Sequence, residues 1–457
     1  MQKIHAGTAL LPEGWATGVR VTVKDGRITQ VARGAPQPGD TCVGALLPAP
    51  VNLHSHTFQR AMAGLTEARS AGQDSFWTWR SLMYRFLESL TPEDVEAIAG
   101  MVMVEMAEAG YGAVTEFHYL HHGPGGTAYA DRAEMAGRIV AASDATGMGL
   151  TLLPVLYAQG GCEGRALTAG QLRFGNDRDG FAALWQAAAG HIAGHIAGLS
   201  PDAVIGVAPH SLRAVSQADL AWVAGLAPDA PIHIHIAEQL AEVVEVKAAY
   251  GARPVAWLLA NAKVDQRWCL IHATQMEPAE TLALAARGAV AGLCPITEAN
   301  LGDGIFDGAR FLVAGGVFGI GSDSNVRISL SEELRLYEYS QRLALKGRAI
   351  LATSEKSAGR VLYEGAVAGG ARAAGRQSGA IAVGMWADLT ALDLSGPDFE
   401  GRQGDVILDT LIFASDDRRI AEVWSAGRHI VREGRHIARA AVLARFAVVM
   451  QRLRGAL

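Results

Sequence analysis

The sequence is short of cysteine, of aromatic residues and of charge. Its 457 residues include four cysteines; Cys42, Cys162, Cys269 and Cys294 lie too far apart to make a C-x-x-C zinc or redox pair. That excludes a dense disulfide scaffold and predicts free thiols in a reducing compartment, the cytoplasm. Charged residues make up 19% and the net charge is -6, so nucleic acid is not an expected partner. No uncharged apolar run is long enough to cross a bilayer, and the opening MQKIHAGTALLPEGW lacks the basic-then-apolar layout of an export signal. Fixed-period repeats and low-complexity linkers are missing too. What is present is a long chain, 50% apolar, that can bury a large core and is expected to form one large domain with a smaller companion.

The pattern along the chain divides it into three. Over 1–45, VRVTVKDGRITQVARG reads as two alternating strands joined at an Asp25-Gly26 hairpin. Over 46–375, short apolar runs alternate with helical segments: ALLPAPVNLHSH, AVTEFHYL, LTLLPVLYA, VIGVAPHSL, PIHIHIAEQ, WCLIHATQ, AVAGLCPIT and GVFGIGSDSN. About eight strand-helix units predict an α/β fold, a closed (β/α)8 TIM-like barrel. Thr91, Pro92 and Asp94 give one helix its start, and Gly110 its stop. Over 376–457, GMWADLTALDL and EVWSAGRHIVREGRHI return to strand-like pieces, so both chain ends are expected to join in a small β-sandwich domain, with a tail.

In a strand, residues i and i+2 face the same way, so the imidazoles of His54 and His56 converge. At the ends of later strands stand His235, Glu238, His272 and Asp323, where barrel enzymes place their sites. His233 shares a face with His235 but lies deeper in the strand, and His235 is the residue expected at the barrel mouth. Three imidazoles and a carboxylate suit zinc or a similar divalent ion, which makes a nucleophile of water at neutral pH. Glu238, His272 and Asp323 are the candidates for proton transfer. Taken singly, each has a plainer reading: a hydrogen-bonded rim histidine, a turn aspartate in SDSN, a glutamate at a helix start. Agreement among four strand ends favours the site.

Other motifs carry no chemistry. His191 and His195 in GHIAGHIAG have helical zinc spacing, but Ile192 replaces the glutamate of H-E-x-x-H, which predicts a solvated or capping role. FGIGSDS and GGARAAGRQSG lack the residues of dinucleotide and phosphate loops.

PVNLHSH, HIHIAEQ, LIHATQ and GIGSDSN, in that order, resemble the amidohydrolase superfamily across nearly the whole chain. The resemblance implies a mononuclear metal site of His54, His56, His235 and Asp323, holding one divalent ion, most simply Zn2+, with Glu238, His272 and Asp323 catalytic. No lysine occupies the fourth strand end, where binuclear members carry one. HSHTFQRAMAGLTEA, DSFWTWRSLMYRF, TEFHYLHH and APHSLRAV are similar, more narrowly, to the formimidoylglutamate deiminase family. These enzymes convert N-formimino-L-glutamate and water to N-formyl-L-glutamate and ammonia in histidine degradation. That likeness implies a small dicarboxylate substrate contacted by Gln59, Arg80, Tyr119, His210 and Arg213, and a homodimer in which Arg213 reaches the neighbouring site. Arg80 has the plainer reading of a side chain lying along an aromatic helix face. The alternatives are a deaminase of a heterocyclic base such as guanine and, more remotely, an inactive barrel scaffold.

Overall fold

A computed structural model describes residues 1–65, 67, 76–198 and 201–454, with the backbone alone for 76–79, 81 and 196–198. Thr66, Ala68, Asp74 and Ser75 of the quoted motifs and the chain end 455–457 lie outside the described residues.

Eight parallel strand positions form the barrel. They are Val51–Ser55, Ala113–His118, Gly149–Leu156, the split pair Val204–Ile205 and Ala208–Pro209, Ile232–Ile236, Trp268–His272, Val290–Leu293 and Val317–Ile320. Single bridges between Ser55 and Asp323 and between Val207 and Ile232 close the circle. The strands are buried along nearly their whole length, as expected of a parallel sheet covered by helices. VIGVAPHSL, expected as one strand, is broken at Gly206, where a Cβ would lie 2.6 Å from the Pro231 carbonyl oxygen.

The helix Pro92–Glu108 starts as its sequence predicts: Thr91 caps the Asp94 amide, and Asp94 accepts from the Thr91 amide. Each such cap contributes about 1 kcal/mol.

Strands from both chain ends join in one eight-stranded sheet beside the barrel. Thr41–Pro48 from the N-terminal part pairs antiparallel with Leu389–Leu392 from the C-terminal part, Leu389 opposite Pro48. The Asp25-Gly26 and Glu433-Gly434 turns use left-handed backbone at both residues, the conformation that two-residue hairpins require. The C-terminal region also holds two helices, Asp405–Phe413 and Arg439–Leu453; Val442 of the second packs on Met101 and Val104 of Pro92–Glu108.

A buried ion network ties sheet to barrel. Arg376, with no exposed side-chain surface, donates Nε to Asp388 and Nη2 to Asp202, each at 2.6 Å, and Arg428 reaches Asp202 at 2.6 Å as well. The two arginines hold the Asp202 carboxyl well below the usual carboxylate range despite burial. Removing one partner of such a pair costs about 3–5 kcal/mol, because a buried charge is left uncompensated.

Candidate active site

The first, fifth and eighth strand ends meet at one point. The Nε2 atoms of His54 and His235 are 3.1 Å apart and those of His56 and His235 3.3 Å, while Asp323 Oδ1 is 3.3 Å from His54 Nε2 and 3.1 Å from His56 Nε2. His56 directs Nδ1 to the Phe117 carbonyl and His235 directs Nδ1 to that of His210. A carbonyl only accepts, so Nδ1 carries the proton on both rings and each Nε2 presents a lone pair. Converging lone pairs and a carboxylate oxygen repel one another unless a cation lies among them. The four side chains, all buried, therefore fit a divalent ion. Burial pushes His54 down to about 3 and His235 well below the ordinary imidazole value, which keeps both neutral, as a ligand must be. His233 is bonded to the Ala373 carbonyl and stays out of the cluster.

Local backbone holds these groups in place. Ala237, His272, Ala273, Asp323 and Asn325 all have positive φ, a costly conformation for non-glycine residues that persists only where neighbours enforce it. At Asp323 the enforcement is visible: the Ser322 and Asp323 amides both donate to the His54 carbonyl, and Asn325 Nδ2 donates to the Asp323 carbonyl and to Ser55 Oγ. Gly321 permits the approach, since a Cβ there would lie 2.7 Å from His54 Cβ.

Above the cluster opens a pocket lined by His56, Gln59, Arg80, Tyr119, His210, Arg213, His235, Glu238, His272 and Asp323. Every residue expected at the site lies in this cavity or, for His54, directly beneath it. Two arginines face it. Arg80 donates to the Tyr84 and Tyr157 hydroxyls, at 3.0 Å for Tyr157. Arg213 is partly buried, its side chain 11% exposed; its Nη2 is 3.9 Å from Glu242 Oε2, and its Nε, itself buried, has no acceptor. Arg213 lines the cavity of its own chain. Gln59 donates to the Tyr119 hydroxyl at 2.8 Å while its Oε1 stays buried and unpartnered. Burial, with Arg213 and Arg80 beside it, pushes His210 well below the ordinary imidazole value.

Glu238 and His272 face each other, Oε1 to Nε2, at 3.9 Å, and Glu298 sits 3.3 Å from His272 Nδ1 on the other side. Burial raises the Glu238 carboxyl, with His272 pulling it down. Burial opposes charge on His272, but Glu238, Glu298 and Asp323 hold it well above the ordinary value. Both shifts favour the protonated form, so the pair is suited to hold a proton ready to give.

Sequence reasoning missed Met83, Tyr84, Tyr157, Phe174, Leu301 and Glu298. Tyr157 closes the strand segment LTLLPVLYA, so the strand-end argument applied to that strand finds it; Tyr84, Phe174 and Glu298 come from helices and loops whose placement no local pattern announces. The zinc-spaced pair also needs correction. His195 is buried instead of solvated, with Nδ1 2.6 Å from Asp144 Oδ1, while His191 stays partly solvated, its side chain 35% exposed, and pairs with Asp131 at 2.8 Å.

Residues 45–430 match the family model described as the amidohydrolase family, and the chain belongs to that family. Residues 1–42 match the model for the N-terminal domain of formimidoylglutamate deiminase HutF. The chain is 49% identical to formimidoylglutamate deiminase from Pseudomonas aeruginosa, over 95% of this chain and 96% of that one. Among solved structures it is similar to an amidohydrolase from Brucella melitensis, with a TM-score of 0.95, 48% identity and coverage of 99% and 100% of the two chains. An adenosine deaminase from Xanthomonas campestris with bound zinc shares the fold, with a TM-score of 0.82, 24% identity and coverage of 99% and 98%.

Proposed function

We propose that this protein is a zinc-dependent hydrolase that converts N-formimino-L-glutamate and water to N-formyl-L-glutamate and ammonia, a step of histidine degradation. The observation that carries this reading is the pairing of a His-His-His-Asp cluster with two arginines in one cavity, Arg213 with a buried Nε that lacks an acceptor. A substrate with two carboxylates answers that demand. The match of the first 42 residues and the 49% identical relative support it independently. Three imidazoles and a carboxylate favour zinc, and the ion, when bound, supplies Lewis-acid activation of water and of the formimino group.

The chain's own residues do the rest. Arg80 and Arg213 bind the two carboxylates, and Gln59 Oε1 accepts from a substrate N–H. Asp323 takes a proton from the attacking water, Glu238 delivers one to the imino nitrogen, and His272, held in its protonated form, donates to the attacking oxygen; the hydroxyl proton of the tetrahedral adduct then passes through Glu238 to the same nitrogen, and the C–N bond breaks as C=O forms and ammonia leaves. A neutral heterocycle such as guanine offers the two arginines no carboxylate to bind, and an inactive scaffold has no use for an intact donor set. We place the protein in the cytoplasm on the strength of its unpaired cysteines, and as a homodimer on the family resemblance. Among the described residues no helix is long and apolar enough to cross a membrane.

Removal of the ion by a chelator is expected to abolish ammonia release from N-formimino-L-glutamate, and stoichiometric zinc to restore it. Undiminished release by protein shown to be free of metal would sink the proposal.

A further inference from the structure

Between the fifth barrel strand and the helix Leu240–Tyr250, the chain must turn sharply to aim Glu238 into the cavity. It does so with Ala237 at φ 50 and Gln239 as the helix N-cap. Gln239 makes no side-chain cap bond, which leaves amides at the turn in need of acceptors. Glu242, fully buried in the first helical turn, supplies one instead: Oε1 accepts from the Ala237 amide and Oε2 from the Glu238 amide, both at 3.1 Å. The helix dipole favours a carboxylate there. Oε2 is also the oxygen 3.9 Å from Arg213 Nη2, a distance at which the two charges attract without a direct hydrogen bond. Among the described residues Arg213 has no closer anion, and its Nε stays without an acceptor.

We propose that Glu242 is a positioning residue with two effects: it fixes the backbone of Glu238 and, through its charge, holds down the affinity of Arg213 for the substrate carboxylate. The proposal rests on the reading of the cavity as a dicarboxylate site. One carboxylate serves both ends of the reaction. Its two oxygens clamp the amides that aim Glu238, and its charge competes with the incoming anion for the guanidinium. Arg213 is therefore balanced in charge by Glu242, yet it is not consumed by a direct bond and stays open to substrate. Neither effect needs contact between Glu242 and substrate.

The two effects separate by substitution. In Glu242→Gln the charge is gone and one amide faces an NH2 group. KM for N-formimino-L-glutamate is expected to fall about threefold to tenfold and kcat to fall about tenfold or more. In Glu242→Asp the charge stays but the shorter side chain cannot reach both amides, so kcat falls while KM stays near that of the parent. Inhibition by glutarate, a dicarboxylate with no group to hydrolyse, reads the affinity effect without turnover: its Ki falls in Glu242→Gln and holds in Glu242→Asp. Both variants are compared at equal zinc content and with thermal midpoints recorded. A Ki for glutarate that rises or is unchanged in Glu242→Gln, in protein of parental zinc content, overturns the affinity role; an unchanged kcat in both variants overturns the aiming role. Should either variant fail to hold zinc, glutarate protection of the thermal midpoint supplies the affinity comparison. If the parent enzyme itself neither hydrolyses N-formimino-L-glutamate nor binds glutarate, it is the dicarboxylate reading that fails, which no behaviour of the variants could imitate.

Discussion

Glu238→Gln is expected to lower kcat for N-formimino-L-glutamate by about 100- to 10,000-fold while zinc content stays at that of the parent. Glu238 stands outside the cluster of His54, His56, His235 and Asp323, so its loss leaves the ion's donors untouched. What it removes is the group 3.9 Å from His272 Nε2, whose raised carboxyl pKa suits it to keep a proton until the imino nitrogen needs one. Glutamine keeps the shape and can still donate a hydrogen bond but cannot give up a proton, so KM should change little. The check is steady-state kinetics alongside metal analysis. Near-parental turnover in a zinc-replete variant would remove Glu238 from the proton path and leave that role to His272 and Asp323.

Arg213→Met should cut kcat/KM for the dicarboxylate by about 30- to several-thousand-fold, the effect of truncating one side of a buried, hydrogen-bonded charge pair worth about 2–5 kcal/mol. Methionine fills much of the same volume, so the cavity wall should hold. Arg80→Met should act in the same direction, with an added loss of order because Arg80 also links Tyr84 and Tyr157. Measured against glutarate binding, both variants should weaken affinity. A parental kcat/KM in Arg213→Met would mean that no carboxylate lies against it, and a heterocyclic substrate would then become the better reading.

Much of this site was legible because its ligands obey simple periodicities. His54 and His56 share a strand face, His235 and His272 end buried strands, and all of them stand where a parallel barrel opens. The eight-unit rhythm was legible for the same reason, since fully buried strands leave continuous apolar runs. Tertiary contacts decided the rest. The fourth strand is broken at Gly206, where Leu153 and Pro231 leave no room for a side chain, a fact of packing that VIGVAPHSL does not contain. Glu242 and Glu298 read as ordinary helix glutamates, and only folding turns the first back onto the Ala237 and Glu238 amides and sets the second against His272. His191 and His195 carried a helical metal spacing, yet the acids that claim them, Asp131 and Asp144, come from a separate stretch of chain. Arg213 belonged to a recognisable motif, but its approach to Glu242 is a property of the fold.

The most direct test is ammonia release by the zinc-loaded protein from N-formimino-L-glutamate, measured beside N-formimino-L-aspartate, guanine and cytosine under the same conditions. The account predicts turnover of the glutamate compound with N-formyl-L-glutamate as product, and none of guanine or cytosine. Turnover of a base with the glutamate compound inert would contradict it, because Arg80 and Arg213 would then have no anion to bind.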